Sequence, residues 1–248
     1  MSSKPSRGIP PERDAYGREI WACYKGVTTH EIVEREDGLI DIGSASPYFQ
    51  PFENWPAQER AAIDRARSPV LDIGCGAGRV ALYLQDKGHR VLAIDNSPLA
   101  VKVAKLRGVK FARVLSISEI GTLKGRFGSI VLCGNNFGLF GSFTKARRLL
   151  GAMRRITTDE GLIIAAASNP HTTRDPVHLA YQERNRDRGR MAGQIRLRVR
   201  YRQFRGPWFD YLFASPDEVR SIVQGTGWSI RDIVPSQGPG FVAILAKA

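Results

Sequence analysis

The chain has 248 residues, of which 42% are hydrophobic, and it carries 37 Lys and Arg residues against 24 Asp and Glu residues. This length suits one large α/β domain or a domain with an insertion, and the hydrophobic content excludes wholesale disorder. The net charge of +13 attracts anions, which leaves nucleic acid, a phosphorylated metabolite and a carboxylate-bearing small molecule open as partners.

The cysteines and the apolar stretches limit the cellular setting. Cys23, Cys75 and Cys133 are too widely spaced to form a C-x-x-C pair, so they predict neither a disulfide framework nor a zinc site. No apolar stretch is long enough to span a bilayer, and the N-terminus lacks the apolar core of a signal peptide. We therefore expect a cytoplasmic protein without a metal or a membrane partner.

The first 68 residues lack a regular pattern. Residues 1–15 are polar and contain several prolines, which predicts a flexible N-terminal tail. Residues 16–68 are rich in aromatic residues and are interpreted as an N-terminal cap of short helices and loops, ending in a helix near 57–67. Tyr24 and Tyr48 in this cap are candidates for a substrate-binding wall, although aromatic residues in such a segment more often belong to the core.

From residue 69 onward, strands and helices alternate. The apolar patterns predict strands at 70–73, 90–94, 109–114, 129–133, 162–167, 228–234 and 241–246. Helices are predicted from 79, from 98, from 143 and after the capping box that begins at Ser215. The expected fold is a doubly wound α/β domain over 69–248, with a mostly parallel seven-strand sheet, an antiparallel last strand and a substrate-cover insertion at 169–207.

The first of these strands leads into a glycine-rich loop. Gly74, Gly76 and Gly78 stand where the strand becomes a helix, so the backbone can approach a ligand closely and expose its N–H groups. Asp95, at the end of the following strand, can accept hydrogen bonds from the two hydroxyls of a ribose. A dinucleotide dehydrogenase would need a glycine at position 79, where this chain has Arg79.

The pattern Asp72-x-Gly74-x-Gly76-x-Gly78, followed by Asp95, resembles motif I of the class I S-adenosylmethionine (SAM) dependent methyltransferases. The resemblance implies SAM as the cofactor and S-adenosyl-L-homocysteine as the product. It further implies that Asp72 acts through the loop on the methionine amino group, that Asp95 binds the ribose and that Asn96 lies beside the adenine. The cofactor-binding residues implied in this way are Asp72, Gly74, Cys75, Gly76, Gly78, Asp95, Asn96, Ser97, Ser116, Ile117, Gly134 and Asn135.

Two positions depart from the family pattern. The acid that often follows the third strand is absent, and we expect Ser116 or the backbone of Ile117 to take its place near the adenine. The Phe-Asp pair that often begins the fourth strand is Phe127-Gly128 here. A generic nucleotide-binding turn without SAM is the alternative interpretation of the loop.

Candidates for catalysis follow the fourth and fifth strands. Ligands bind outside the carboxyl ends of strands in such sheets, so Asn136 is placed to orient a nucleophile, unless this glycine-rich segment is only a tight turn. His178 and Tyr181 lie three residues apart on one face of a predicted helix. Either could be a general base or a substrate hydrogen-bonding group, or else a packing residue. Methyl transfer needs a base only if the nucleophile still holds its proton.

The insertion is strongly basic. Residues 170–206 contain ten Arg residues and three acids, which amounts to +7 of the net +13. Arg and apolar residues alternate over 194–202, which predicts a strand with Arg198 and Arg200 on one face. Three interpretations are open: a solvated sheet face, a lid whose Arg198 and Arg200 bind a carboxylate or phosphate, and a nucleic-acid track.

Together these patterns favour a SAM-dependent methyltransferase with a small-molecule acceptor that is anionic or planar. An RNA methyltransferase that uses the Arg-rich insertion is the first alternative. A non-catalytic module that binds SAM or nucleic acid is the second. The sequence leaves the acceptor, the methylated atom and the oligomeric state open.

Overall fold

The computed structural model describes residues 8–248. The helices are α1 (Ala15–Tyr24), α2 (Ala57–Ile63), α3 (Arg79–Asp86), α4 (Pro98–Leu106), α5 (Phe143–Ile156), α6 (Pro176–Asp187) and α7 (Pro216–Val223). The strands are β1 (Glu31–Arg35), β2 (Ile40–Gly43), β3 (Val70–Ile73), β4 (Val91–Asp95), β5 (Ala112–Val114), β6 (Phe127–Leu132), β7 (Thr157–Ser168), β8 (Gln194–Tyr201), β9 (Phe204–Arg205), β10 (Phe209–Leu212), β11 (Trp228–Pro235) and β12 (Gly240–Lys247).

Seven of these strands form the main sheet, in the order β11-β12-β7-β6-β3-β4-β5. The β3–β4, β4–β5 and β6–β7 pairs are parallel, whereas β12 runs antiparallel to both β7 and β11. The predicted fold class, with its antiparallel last strand, is therefore confirmed.

The chain divides into two compact units. The first contains the described residues up to Trp55 together with Ser68–Leu123 and Leu197–Trp208, and the second contains Pro56–Arg67, Lys124–Arg196 and Phe209–Ala248. The predicted cofactor loop and the end of β4 belong to the first unit. The loop after β6 and helix α6 belong to the second.

In the first unit, β3 is buried at all four positions. This is typical of a parallel strand whose two faces are both covered, and it explains why three of its four residues are apolar. Helix α4 begins as predicted at Pro98, and the side chain of the preceding Ser97 caps it by accepting a hydrogen bond from the Ala100 N–H. Strand β3 leads into the predicted cofactor loop, and capped helix α4 follows directly after β4.

A second sheet in the first unit differs from the prediction. Residues 31–43, expected as short helices and loops, form the β1–β2 hairpin around a turn at Asp37-Gly38. Strand β1 also pairs antiparallel with β8, with Ile32 opposite Arg200 and Glu34 opposite Arg198. Local sequence did not reveal β1 because its second partner lies far away along the chain.

The segment before α1 is also ordered where it is described. The Ile9 N–H donates to the Asn96 carbonyl at 2.8 Å. Asp14 is 1% exposed and caps α1 by accepting from the Gly17 N–H at 2.9 Å. It also accepts from the Ser97 hydroxyl at 2.9 Å. Ile9 and Asp14, within the predicted tail, are therefore held by hydrogen bonds, and residues 1–7 of that tail lie outside the described part.

In the second unit, β7 and β12 pair along their length, and Ala165 lies opposite Ala243 at the centre of the ladder. Both residues are fully buried. Helix α5 packs an apolar stripe that includes Leu150 and Met153, which agrees with its predicted spacing. Between residues 8 and 248, no helix combines the length and the apolar character needed to cross a membrane.

The contacts of Asp14 predict that removing its side chain destabilises α1. Asp14→Ala removes the cap of α1 and its bond to Ser97, and we expect a destabilisation of about 1–2 kcal/mol, typical of a lost N-cap. Hydrogen exchange should show faster exchange over Ala15–Tyr24. Asp41→Ala, an exposed position on β2, is the control. Unchanged exchange in α1 of the Asp14 variant would contradict this account.

Candidate active site

The glycine loop between β3 and α3 is shaped by backbone conformations that require glycine. Gly76 and Gly78 have φ values of +51° and +84°. A Cβ atom on Gly78 would lie 2.6 Å from the Val109 side chain, and one on Gly76 would lie 2.7 Å from the Tyr16 hydroxyl. The N–H groups of Gly74 and Cys75 both donate to the Ile94 carbonyl, at 2.9 and 3.1 Å. The loop is thus held against the end of β4.

Asp95, the predicted ribose-binding acid, is tied to this loop. Its side chain accepts from the Gly76 N–H at 3.0 Å and from the Ser97 N–H at 2.9 Å, and the residue is 5% exposed. Burial raises its pKa to about 6, although the Ser97 and Gly76 N–H groups offset part of this rise. A carboxylate has about four lone-pair sites, so Asp95 retains capacity for two hydroxyl donors.

Asp72 is a buried acid with an unsatisfied oxygen. The residue is 2% exposed, and its Oδ2 atom has no hydrogen-bond partner among residues 8–248. Burial raises its pKa to about 7; the Arg79 guanidinium opposes this rise and the charge of Asp95 adds to it. A cationic ligand group beside this oxygen would relieve the cost of burying the charge.

The residues after β5 meet the same strand end. The Leu115 N–H donates to the Asp95 carbonyl at 2.9 Å, which places Ser116 and Ile117 next in the chain. The Ser116 hydroxyl accepts from the Ser118 N–H at 3.3 Å, and the Glu119 carboxylate accepts from the Ser116 N–H at 3.2 Å. Ser116 is therefore engaged in a capping box, and an adenine contact from its hydroxyl remains a prediction, as does one from Asn96.

Comparison with known proteins decides the family. The family model of a methyltransferase domain matches residues 70–161. The crystal structure of a SAM-dependent methyltransferase from Bacteroides fragilis, in complex with S-adenosyl-L-homocysteine, is 26% identical, with a TM-score of 0.85 over 99% of this chain and 100% of that one. Residues 70–161 form a class I SAM-dependent methyltransferase domain.

Curated relatives match over shorter stretches. The 2-heptyl-1-hydroxyquinolin-4(1H)-one methyltransferase of Mycobacteroides abscessus is 38% identical over 74 residues, 27% of this chain and 32% of the relative. The ribosomal RNA small subunit methyltransferase C of a Marinomonas species is 39% identical over 80 residues, 30% of this chain and 23% of the relative. This chain therefore spans less than a third of the length of either relative.

The cofactor of this domain is SAM, and the residues present fit it. The unpartnered Asp72 oxygen suits the positively charged amino group of a methionyl chain. The missing Cβ at Gly76 allows the Tyr16 hydroxyl to approach the loop backbone closely. When bound, SAM supplies a methyl group on a positively charged sulfur. The task of the protein is to hold and orient it.

In the second unit, the loop after β6 is held by an acid that the sequence analysis missed. Glu59 on α2 is 3% exposed and accepts from the Gly134 N–H at 2.6 Å. Asn135 has a φ of 65°, and its carbonyl accepts from the Tyr211 hydroxyl at 2.6 Å. The Asn135 Oδ1 atom is buried and has no partner in the described part of the chain. A ligand role for Asn135, Gly134 or Asn136 remains a prediction.

His178 and Tyr181 have different surroundings on α6. The His178 side chain is 43% exposed, with Nε2 at 3.9 Å from the Asp175 carboxylate. Tyr181 is 4% exposed, and its hydroxyl accepts from the Arg196 N–H at 3.3 Å. This bond favours the packing interpretation of Tyr181, because its hydroxyl supports the backbone of the insertion.

Tyr48 lies beside the cofactor loop, whereas Tyr24 packs elsewhere on the cap. A Cβ atom on Gly76 would lie 3.5 Å from Tyr48 Cδ1, and the Tyr16 and Tyr48 rings meet edge to face at 5.4 Å. Tyr24 packs against Trp21, with ring centroids 6.0 Å apart. Tyr16, which the sequence analysis did not select, is closer to the loop than either predicted tyrosine.

The predicted substrate arginines are both paired with one acid. Arg198 makes two hydrogen bonds to the Glu34 carboxylate, at 3.0 and 2.8 Å, and Arg200 makes one at 3.3 Å. Side chains alternate along β1, so Glu34 and these arginines lie on the face opposite Glu31. The Glu31 carboxylate accepts from the Tyr48 hydroxyl at 3.3 Å. The structure therefore places Tyr48 and the two arginines on opposite faces of this sheet.

Asp95→Ala is expected to weaken SAM binding, because it removes both the ribose acceptor and the carboxylate that holds the Gly76 N–H. Loss of a charged hydrogen-bonding group contributes about 1.5–3 kcal/mol, which corresponds to a roughly 10- to 100-fold lower affinity. Isothermal titration calorimetry with SAM measures this directly. Asp86→Ala, an exposed acid at the end of α3, is the matched control. Equal affinities for the two variants would refute a ribose-binding role for Asp95.

The raised pKa of Asp72 predicts that cofactor binding depends on pH. Without cofactor, the raised pKa of Asp72 makes the free energy of unfolding depend on pH. The contribution of Asp72 to stability is complete below about pH 4, where its carboxyl group is neutral, and it is lost as the pH rises through 7. Binding of the cofactor amino group requires the ionised form. Affinity for S-adenosyl-L-homocysteine should therefore rise roughly fourfold from pH 6.5 to 8, following the ionised fraction of an acid with a pKa of about 7.

Calorimetry of wild type and Asp72→Asn across this range tests the assignment. The variant should bind more weakly at pH 8, and the rise with pH that Asp72 causes should be absent. An equal rise in both proteins would assign the pH dependence to another group.

Proposed function

We propose that this protein transfers a methyl group from SAM to a small-molecule acceptor that is planar or anionic. The observation that carries the proposal is the pair of aromatic rings, Tyr16 and Tyr48, at the Gly76 backbone. Edge-to-face aromatic surfaces of this kind suit a flat ring system.

The first relative supports a planar acceptor. By its name, the Mycobacteroides abscessus protein acts on 2-heptyl-1-hydroxyquinolin-4(1H)-one, which contains a flat bicyclic ring. Its similarity to this chain extends over 74 residues, so it supports the class of acceptor and not that particular compound.

An anionic acceptor has a separate basis. Arg198 and Arg200 share the single Glu34 carboxylate, which leaves one positive charge in excess, and the Arg200 Nε atom is buried without a partner among the described residues. A carboxylate or phosphate would suit that donor. Because these arginines lie on the face opposite Tyr48, the planar form of the proposal has the stronger support.

The chain's own residues would act mainly by positioning. Methyl transfer is an in-line displacement, and holding the two reactants in line accounts for much of the rate gain in such reactions. Asp72, Asp95 and the glycine loop would fix the cofactor. The rings of Tyr16 and Tyr48 would orient a flat acceptor and exclude water.

RNA methylation is the second candidate. It is supported by the ten arginines of residues 170–206 and by the similarity to the Marinomonas ribosomal RNA enzyme. Several of these arginines are engaged within the protein, however. Arg196 lies 3.5 Å from Asp210, and Arg198 and Arg200 bind Glu34. A polyphosphate track would have to compete with these acids.

Transfer of labelled methyl from SAM into a host-cell extract tests the proposal. We expect acid-soluble label, which ion exchange then separates into charged and neutral products. Asp95→Ala is the matched control and should transfer much less. Acid-precipitable, nuclease-sensitive label would instead establish RNA methylation.

A further inference from the structure

One face of α1 continues from the cofactor loop into a group of buried acids. Tyr16, Glu19 and Cys23 follow at helical spacing on this face. Tyr16 lies against Gly76, so Glu19 stands one helical turn further from the loop. Glu19 is an acid, although an apolar side chain could be buried at this position at a lower cost in free energy.

Glu19 is buried without a matching donor. The residue is 1% exposed, and neither carboxyl oxygen has a hydrogen bond of standard geometry to any residue between 8 and 248. The buried Thr29 hydroxyl and the Ala45 backbone lie near enough to lower the pKa of Glu19, but neither forms a bond of that geometry. An unsatisfied buried carboxylate is costly, and its persistence indicates a ligand that donates hydrogen bonds to it.

Glu31 on β1 acts electrostatically on Glu19. The charge of Glu31 raises the pKa of Glu19, which burial has already raised, to about 7. Burial also raises the pKa of Glu31, against the effect of the Tyr48 hydroxyl that donates to it. Gly43 lies opposite Glu31 on β2, and a Cβ atom there would be in ordinary van der Waals contact with the Glu31 carboxylate, at 3.7 Å.

No cation of the described chain neutralises this pair. Neither Glu19 nor Glu31 forms an ion pair within residues 8–248. Arg107, which acts electrostatically on neighbouring Cys23, donates at 2.6 Å to the Ala77 carbonyl and at 3.4 Å to the Tyr48 carbonyl. A purely structural pair of acids would be expected to have a basic partner.

The pair is connected to the cofactor loop through Tyr48. The hydroxyl of Tyr48 binds Glu31, while its ring edge reaches within 3.5 Å of a Cβ position on Gly76. The charge of Glu31 also raises the pKa of Tyr16. One tyrosine ring thus spans the distance between the methyl-donor loop and the carboxylates.

We propose that Glu31 and Glu19 bind the proton-bearing nucleophile of the acceptor, a hydroxyl or an amine, and that Glu31 takes its proton during transfer. This inference rests on the proposed function. The acceptor oxygen or nitrogen forms a bond to the methyl carbon, and the carbon–sulfur bond breaks with its electron pair going to sulfur. The proton passes to the Glu31 carboxylate, while Glu19 is the positioning residue: its charge attracts the donor group, and it accepts a second hydrogen bond from a nucleophile that carries two protons, such as a primary amine.

Other titratable groups act on the same pair. Cys23 on α1 is affected by the Glu19 charge, and Asp41 on β2 raises the pKa of Glu31. Tyr16 and Tyr48 face the pair from the loop side. Because the pKa of Glu19 is about 7, its carboxylate form develops as the pH rises toward 8, and the pKa of Glu31 is raised as well.

The test uses two flat probes, 2-naphthol and 2-methoxynaphthalene. The second carries a methyl group in place of the hydroxyl proton and therefore cannot donate a hydrogen bond. Their binding to the full chain saturated with S-adenosyl-L-homocysteine is measured by ligand-observed NMR. Wild type should bind the naphthol at least about fivefold more tightly than the ether, as expected for a hydrogen bond to a charged group. The preference should be lost in Glu31→Gln and reduced in Glu19→Gln.

The pH dependence separates positioning from packing. In wild type, the preference for the naphthol should grow between pH 6 and 8, whereas in Glu19→Gln it should change little. Glu36→Gln, an exposed position in the same hairpin, is the control and should behave like wild type. Calorimetry with S-adenosyl-L-homocysteine confirms that each variant retains its cofactor site.

Three outcomes would overturn the inference: no preference in wild type, no binding of either probe, or an unchanged preference in Glu31→Gln. Failure of the proposed function looks different. In that case the extract shows no acid-soluble label, while the probe preference and its loss in Glu31→Gln are still observed.

Discussion

The hydrogen bond from the Gly76 N–H to the buried Asp95 carboxylate is the interaction on which the rest of the first unit depends. It joins the cofactor loop to the end of β4, and it is possible only because the backbone at Gly76 adopts a positive φ. The second Asp95 oxygen takes the Ser97 N–H, and the Ser97 hydroxyl donates to Asp14. The position of α1 is therefore linked through three side chains to the position of the loop.

The parts of this arrangement that depend on neighbouring residues could be predicted from the sequence. Strand β3 has its predicted bounds, and α3 begins at the predicted Arg79, because apolar runs and glycine positions act locally. The same holds for α7, whose capping box at Ser215 forms as predicted. The spacing of Asp72, the glycines and Asp95 identified the family for the same reason, since it reflects one strand–loop–helix unit.

What could not be predicted depends on pairing between distant segments. Alternation correctly predicted that Arg198 and Arg200 share a face of β8, but nothing local indicated that Glu34 would meet them there. That pairing also places Glu31 on the other face, towards Tyr48. The burial of Glu19 depends in turn on the residues that follow α1. The sequence of this amphipathic helix alone therefore did not distinguish Glu19 from a solvent-exposed acid.

The buried acids of the first unit follow one physical rule. Like charges in a poorly solvated region raise each other's pKa, as Asp95 does for Asp72 and Glu31 does for Glu19. Such pairs weaken the protein alone and become favourable when a ligand brings a positive charge or a hydrogen-bond donor. Asp72 and Asp95 are suited to the amino group and hydroxyls of the cofactor. Glu19 and Glu31 would then be suited to the second reactant, whose proton must leave as the methyl group arrives. Tyr48 links the two pairs, because its hydroxyl donates to Glu31 while its ring lies beside the Gly76 backbone that Asp95 binds.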